Sequence, residues 1–254
     1  MNPLVAPNFT LIDTLPALSA VVDSLKGLPT EPPSIYVDLE GVNLSRNGTI
    51  SILQLYIHPT KKTYLIDVLS LKDRCFSTPG GNGHSLKVIL ESTTIPKVFF
   101  DVRNDSDALY SHFQISLAGI LDLQLMELAT RTFPRRLVQG LAKCIEKDAL
   151  FMCTIDRLNW METKERGANL FLPEKGGSYQ VFLERPQRRE ILTYCAQDVH
   201  ILPRLWGAYD SKITAIWKQR VVETSMDRVR LSQSPSYNAK ERDKILAPAG
   251  WARY

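Results

Sequence analysis

Cysteine is scarce and scattered in this chain. The four cysteines, Cys75, Cys144, Cys153 and Cys195, include no C-x-x-C pair. Neither a structural zinc site nor a disulfide framework is therefore expected, and a reducing compartment, nuclear or cytoplasmic, is. Long apolar runs are missing too. No window holds eighteen consecutive apolar residues, which argues against a transmembrane helix and against a membrane partner. No basic residue precedes Lys26, and "MNPLVAPNFTLIDTLPALSA" is interrupted by Pro, Asn and Asp, so no secretory leader is expected there. The glycines of "CFSTPGGNGHS" are followed by no G-K-[ST], which removes a phosphate-cradling loop. Internal repeats are absent as well.

What is present is enough apolar residue, 44% of 254, for one large domain or a domain plus a tail. The net charge of +4 is uneven. From Ser211 to Tyr254 nine Lys/Arg face four Asp/Glu, leaving 22 basic and 23 acidic residues elsewhere. We divide the chain accordingly, into a domain over 1–210 and a basic helix with an irregular tail over 211–254. The basic end is either a footprint for a phosphate-rich partner or a solvated helix and tail.

Thr14–Leu28 has helical spacing, with Thr14 placed to cap it, Pro16 in the first turn and Gly27 at its end. Ser34–Asp38, Thr49–His58 and Thr63–Val68 read as three strands in succession, an antiparallel meander, and Lys97–Phe100 as a fourth strand. Helices are expected over Asp105–Phe113, Leu121–Thr130 and Leu137–Ile145. The pattern then weakens, and Lys147–Glu184 reads as an extended loop or insertion. Helical periodicity returns over Arg188–Tyr209 and Lys212–Glu223. Strands first, then strands alternating with helices, indicate an α/β domain with a mixed sheet.

Three acidic groups stand out. In "SIYVDLEG", Asp38 and Glu40 share one face of a strand, where they raise each other's pKa unless a cation intervenes. Oxygen ligands of this kind suit Mg²⁺ or Mn²⁺, and a solvated strand end is the plainer reading. "FFDVRNDSDALY" places Asp101, Asp105 and Asp107 near a helix N-terminus, where acids also occur for dipole reasons. In "YCAQD", Tyr194 and Asp198 share a helix face, which a surface hydrogen bond would also explain.

"VDLEG", "DVRNDSDAL", "LDLQLMELA" and "VFLERPQRREILTYCAQDV" follow one another as in the DEDD 3′–5′ exonuclease superfamily, and the chain resembles its RNase D-like, Egalitarian-type fungal domains from about Leu11 to Trp206. The resemblance implies a ribonuclease H-like fold with a mixed five-stranded sheet flanked by helices. It implies that Asp38, Glu40, Asp105 and Asp198 hold two divalent ions, Mg²⁺ or Mn²⁺, about 3.5–4 Å apart. Tyr194, four residues before Asp198, marks the tyrosine subclass, because the histidine subclass needs His where Thr193 stands. His200 falls outside the pattern. Arg185 and Pro186 are followed by Gln187 where the family usually has Leu.

The implied activity is hydrolysis of single-stranded RNA or DNA to nucleoside 5′-monophosphates, with Tyr194 orienting the attacking water. Expected substrate contacts are Leu39 and Val42 as an apolar wedge under the terminal base, and Lys164, Arg166 and Arg185. Lys175, Phe171, Tyr179 and the tail cations are further candidates. "RTFPRR" (Arg131–Arg136) either lines the strand's path or pairs with a helix dipole. The rival readings are a catalytically silent nucleic-acid-binding or scaffold module, and a different phosphodiesterase on the same metal site. Acids facing different directions, or a lysine plugging the ion site, would overturn the enzymatic reading.

Overall fold

The computed structural model describes residues 8–149 and 152–252. Residues 1–7, within the stretch where no leader is expected, residues 150–151 of the expected loop and the last two residues of the tail lie outside it.

In chain order the elements are β1 (Phe9–Ile12), α1 (Leu15–Ser24), β2 (Ile35–Glu40), β3 (Ile52–Ile57), β4 (Lys62–Asp67), α2 (Val68–Leu71), α3 (Arg74–Ser77), α4 (Leu86–Glu91), β5 (Lys97–Phe99), α5 (Arg103–Phe113), β6 (Ile120–Asp122), α6 (Leu123–Thr130), α7 (Leu141–Asp148), α8 (Thr154–Phe171), α9 (Arg189–Asp210) and α10 (Ala215–Ser232). The strands form one mixed sheet in the order β1-β4-β3-β2-β5-β6. The β2-β3-β4 meander is antiparallel, while β1 joins β4, and β5 and β6 join on the other side of β2, all in parallel.

The sheet therefore has six strands rather than five. β1 is a four-residue edge strand, too short to show an alternation, and only its pairing with β4 defines it. β6 occupies the first residues of the stretch read as the Leu121–Thr130 helix. Asp122 ends it and caps α6 by accepting from the Gln124 N–H.

The largest correction is α8. The segment read as an extended loop holds an eighteen-residue helix. Its inward side carries Trp160, Gly167, Ala168 and Phe171, whereas Ile155, Leu158 and Met161 are exposed. Apolar groups on both sides blur the 3.6-residue stripe that marks an amphipathic helix.

Alternation along β2 sorts its side chains. Ile35, Val37 and Leu39 enter a core with Leu18, Val22 and Leu109. Tyr36 enters the opposite core with Val199 and Leu202 of α9, and Asp38 and Glu40 project on its side. The basic C-terminal part packs on this body: Arg228 of α10 is buried against Asp122, and Trp251 is buried against Trp217. Among the described residues, no helix is long and apolar enough to cross a membrane.

Candidate active site

Asp38 and Glu40 leave the C-terminal end of β2 on the side covered by α9. Asp198 reaches them from α9. Oxygens of the three carboxylates lie within 4.8 Å of one another, with Asp38 and Glu40 half-buried and Asp198 buried. Burial is the main force on each. It raises Asp38 to about 7, helped by the Asp198 charge, and Glu40 to about 8, helped by Asp38. Asp198 is raised by burial too, partly offset by Lys164.

Asp105 stands in the first turn of α5 and is buried. Burial and then the Asp38 charge push it well above the ordinary carboxylate range. The acids around it are differently placed. Asp101, in the left-handed region at φ 62°, is gripped by the Arg103 guanidinium at both oxygens. Asp107 accepts from the Arg46 side chain at 2.7 Å and from its backbone N–H at 2.8 Å. Asp105 has no such cation, and its Oδ1 is buried without a hydrogen-bond partner, as is Oδ1 of Asp198. A buried carboxylate oxygen with no donor is costly unless a cation meets it.

The donor set is all oxygen and close-set, which fits a hard divalent ion such as Mg²⁺ or Mn²⁺. Cys195 lies fully buried behind the cluster, and burial holds its thiol protonated, so it adds no thiolate.

Tyr194 sits one turn before Asp198, buried, with its ring against Phe171 at 5.2 Å. Burial, then the charges of Glu40 and Asp198, keep its phenol protonated. Lys164 of α8 comes from behind. Its Nζ donates to Asp198 Oδ2 and, at 3.0 Å, to the Tyr194 hydroxyl, and it lies 4.3 Å from the centre of the Tyr194 ring. Burial alone would depress this ammonium, but Asp198 and then Glu40 and Asp38 outweigh it and raise its pKa. Lys164 is thus seated on one flank of the cluster. Its hydrogen bonds end at Asp198 and Tyr194, leaving Oδ1 of Asp105 and Asp198 open.

Other expected contacts are not brought here. Leu39 points into the opposite core, because it alternates with Asp38 and Glu40. Arg166, two residues past Lys164, lies on the solvent side of α8 paired with Glu162. Arg185 is spent on Asp67, donating to both carboxylate oxygens, and on the Phe182 and Ser51 carbonyls. Lys175 pairs with Glu165. Val42 stays half-buried in the turn just past Glu40. His200 packs edge-on against Tyr56, away from the acids.

Two residues were not anticipated. Gln54 is directly opposite Asp38 in the sheet, fully buried, with neither amide atom hydrogen-bonded. A lone polar residue amid "ILQLYI" was its only sign. Gly167 lies against Tyr194 where α8 crosses α9: a Cβ there would come within 2.5 Å of the ring.

A family model described as a 3′–5′ exonuclease matches residues 9–213. The chain belongs to this family, within the DEDD superfamily. Comparison with curated proteins gave no significant match. Among solved structures, Trypanosoma brucei RNase D with GMP superposes with a TM-score of 0.75 at 19% identity, over 96% of this chain and 70% of that one. The same enzyme with the RNA U12 gives 0.73 and 20%, over 96% and 77%. Brucella melitensis NrnC with bound Mg²⁺ gives 0.54 and 16%, over 82% and 87%. At these identities the likeness is one of fold.

Proposed function

We propose that the protein is a metal-dependent 3′–5′ exonuclease that hydrolyses single-stranded RNA or DNA to nucleoside 5′-monophosphates. The observation that carries this reading is the convergence of Asp38, Glu40 and Asp198 within 4.8 Å, beside an Asp105 oxygen that nothing else satisfies, in a chain of this family. The RNase D relatives bind GMP and RNA, which supports RNA as the first substrate to try.

The four carboxylates would hold the ions. Two such ions, Mg²⁺ or Mn²⁺, supply a more acidic attacking water and stabilise charge on the leaving 3′ oxygen. Tyr194, kept protonated, serves as a donor that orients the water rather than as a base. Lys164 offers its ammonium to the scissile phosphate from the Asp198 side. Val42 at the turn, and Tyr179 whose ring lies 5.7 Å from that of Phe171, form the apolar and aromatic rim for the terminal bases.

The test is shortening of a 5′-labelled single strand with Mg²⁺ or Mn²⁺, with and without chelator. Chelator-sensitive shortening from the 3′ end is expected, and Asp198→Asn should abolish most of it while the thermal transition persists. No shortening with either metal, on RNA or DNA, would sink the proposal. The Lys164–Asp198 ion pair favours a second reading, a silent nucleic-acid-binding module in which the lysine replaces an ion. Strand binding that is indifferent to metal would support that reading.

A further inference from the structure

At the far end of α9 from Tyr194 and Asp198, the stretch between α6 and α7 faces the start of α10 across an open groove of about 770 Å³. Arg131, Arg135, Arg136 and Lys212 line it together with Phe133 and Trp217, and no carboxylate does. Arg131 is neutralised by Glu127, so the lining charge left over is that of the other three cations.

The aromatic rings are interleaved with these charges. Phe133 is 46% exposed, and its ring centre lies 4.9 Å from the Arg131 guanidinium and 4.8 Å from the Lys147 ammonium. Trp217 lies 4.7 Å from the Arg135 guanidinium and 5.1 Å from that of Arg220. Arg135 is fixed by the last carbonyls of α6, those of Leu128, Ala129 and Arg131, so it forms a rigid floor. Arg136 and Lys212 are exposed at the rim.

We infer that this groove is a second nucleic-acid site, which holds the body of a single strand away from the carboxylate cluster. Cations without carboxylates suit a phosphate backbone, and rings set between cations suit bases stacking without sequence preference. An acidic peptide would use the charge but leave the exposed Phe133 ring unexplained. The inference rests on the nuclease reading only for the nature of the ligand.

Spacing makes it specific. Asp198 and Asp210 are twelve residues apart on α9, about 18 Å of helix. A stacked strand advances about 3.4 Å per nucleotide, so on the order of six nucleotides are needed before both sites can be occupied.

The test is fluorescence anisotropy in chelator, which does not depend on catalysis, with labelled oligouridylates of about twenty and about three nucleotides. Phe133→Ala should weaken binding of the long strand about tenfold. Arg136→Ala with Lys212→Ala should lower the slope of log affinity against log salt by about 1.4. Neither change should alter binding of the short strand. Thermal unfolding reports on the fold of each variant, and the two exposed cations decide the matter if loss of Phe133 destabilises it. Unchanged affinity and slope for the long strand would overturn the inference. So would an equal loss for the short strand, or displacement of the long strand by polyglutamate as readily as by polyuridylate.

Discussion

Gly167 of α8 lies directly beneath the ring of Tyr194 on α9, and a Cβ in its place would stand 2.5 Å from Cδ2 and 2.7 Å from Cβ and Cγ of that tyrosine. No real contact is that close, so the glycine sets how near α8 approaches the site. It also sets where Lys164, one turn earlier, enters the cluster.

The first expectation follows from this contact. Gly167→Ala must shift either α8 or the Tyr194 ring. A displacement near 1 Å at a catalytic group costs on the order of 10²-fold in rate, whereas overpacking costs about 1–3 kcal/mol of stability. Single-turnover digestion and thermal unfolding measure the two effects. A full-rate Gly167→Ala enzyme would show that the phenol's position is unimportant.

Lys164 separates the two functional readings. If its ammonium serves the scissile phosphate, Lys164→Met lowers the rate about 10²-fold with little gain in metal binding. If it replaces an ion, the same change strengthens Mn²⁺ binding, because the Asp198 carboxylate loses its internal partner. Calorimetric titration with Mn²⁺ alongside digestion distinguishes these outcomes.

Metal binding should depend on pH in a defined direction. Asp38 and Glu40 are raised to about 7 and about 8, mainly by burial, so the metal-free folded chain keeps protons that the unfolded chain loses near pH 4. Their contribution to stability is complete below pH 4 and is lost as pH rises through 7 to 8. A divalent ion must displace those protons. Its affinity therefore rises from pH 6 to 8.5, by up to about tenfold per unit for each proton released. A pH-independent Mn²⁺ affinity over that range would contradict the charge arrangement described here.

Arg185 should prove structural. It forks onto Asp67, whose side chain is 2% exposed, and Asp67 also accepts from the Ser70 backbone and hydroxyl at the start of α2. Removing one partner of a buried pair typically costs about 3–5 kcal/mol. Arg185→Ala is expected to lower the unfolding midpoint strongly. If strand affinity fell instead while stability held, the arginine would belong to the substrate site.

How much of this was legible in the sequence differs from element to element. Asp38 and Glu40 share a strand face, and Tyr194 and Asp198 a helix face, because local backbone geometry decides both. The β2-β3-β4 meander was readable for the same reason, its alternation and turns being local. Which of Asp101, Asp105 and Asp107 lacks a cation was not readable, because the partners Arg103, Arg46 and Arg228 act through distances only the folded chain defines. α8 escaped notice because it shows apolar side chains to solvent and turns Lys164 inward.

By itself the sequence determined the sides on which the acids of β2 and α9 project, since those directions follow from spacing along one element. Only the tertiary structure decided that Lys164 reaches Asp198 while Arg185 turns away to Asp67. Such pairings join residues 34 and 118 positions apart. They depend on how whole elements pack, and no local period records that.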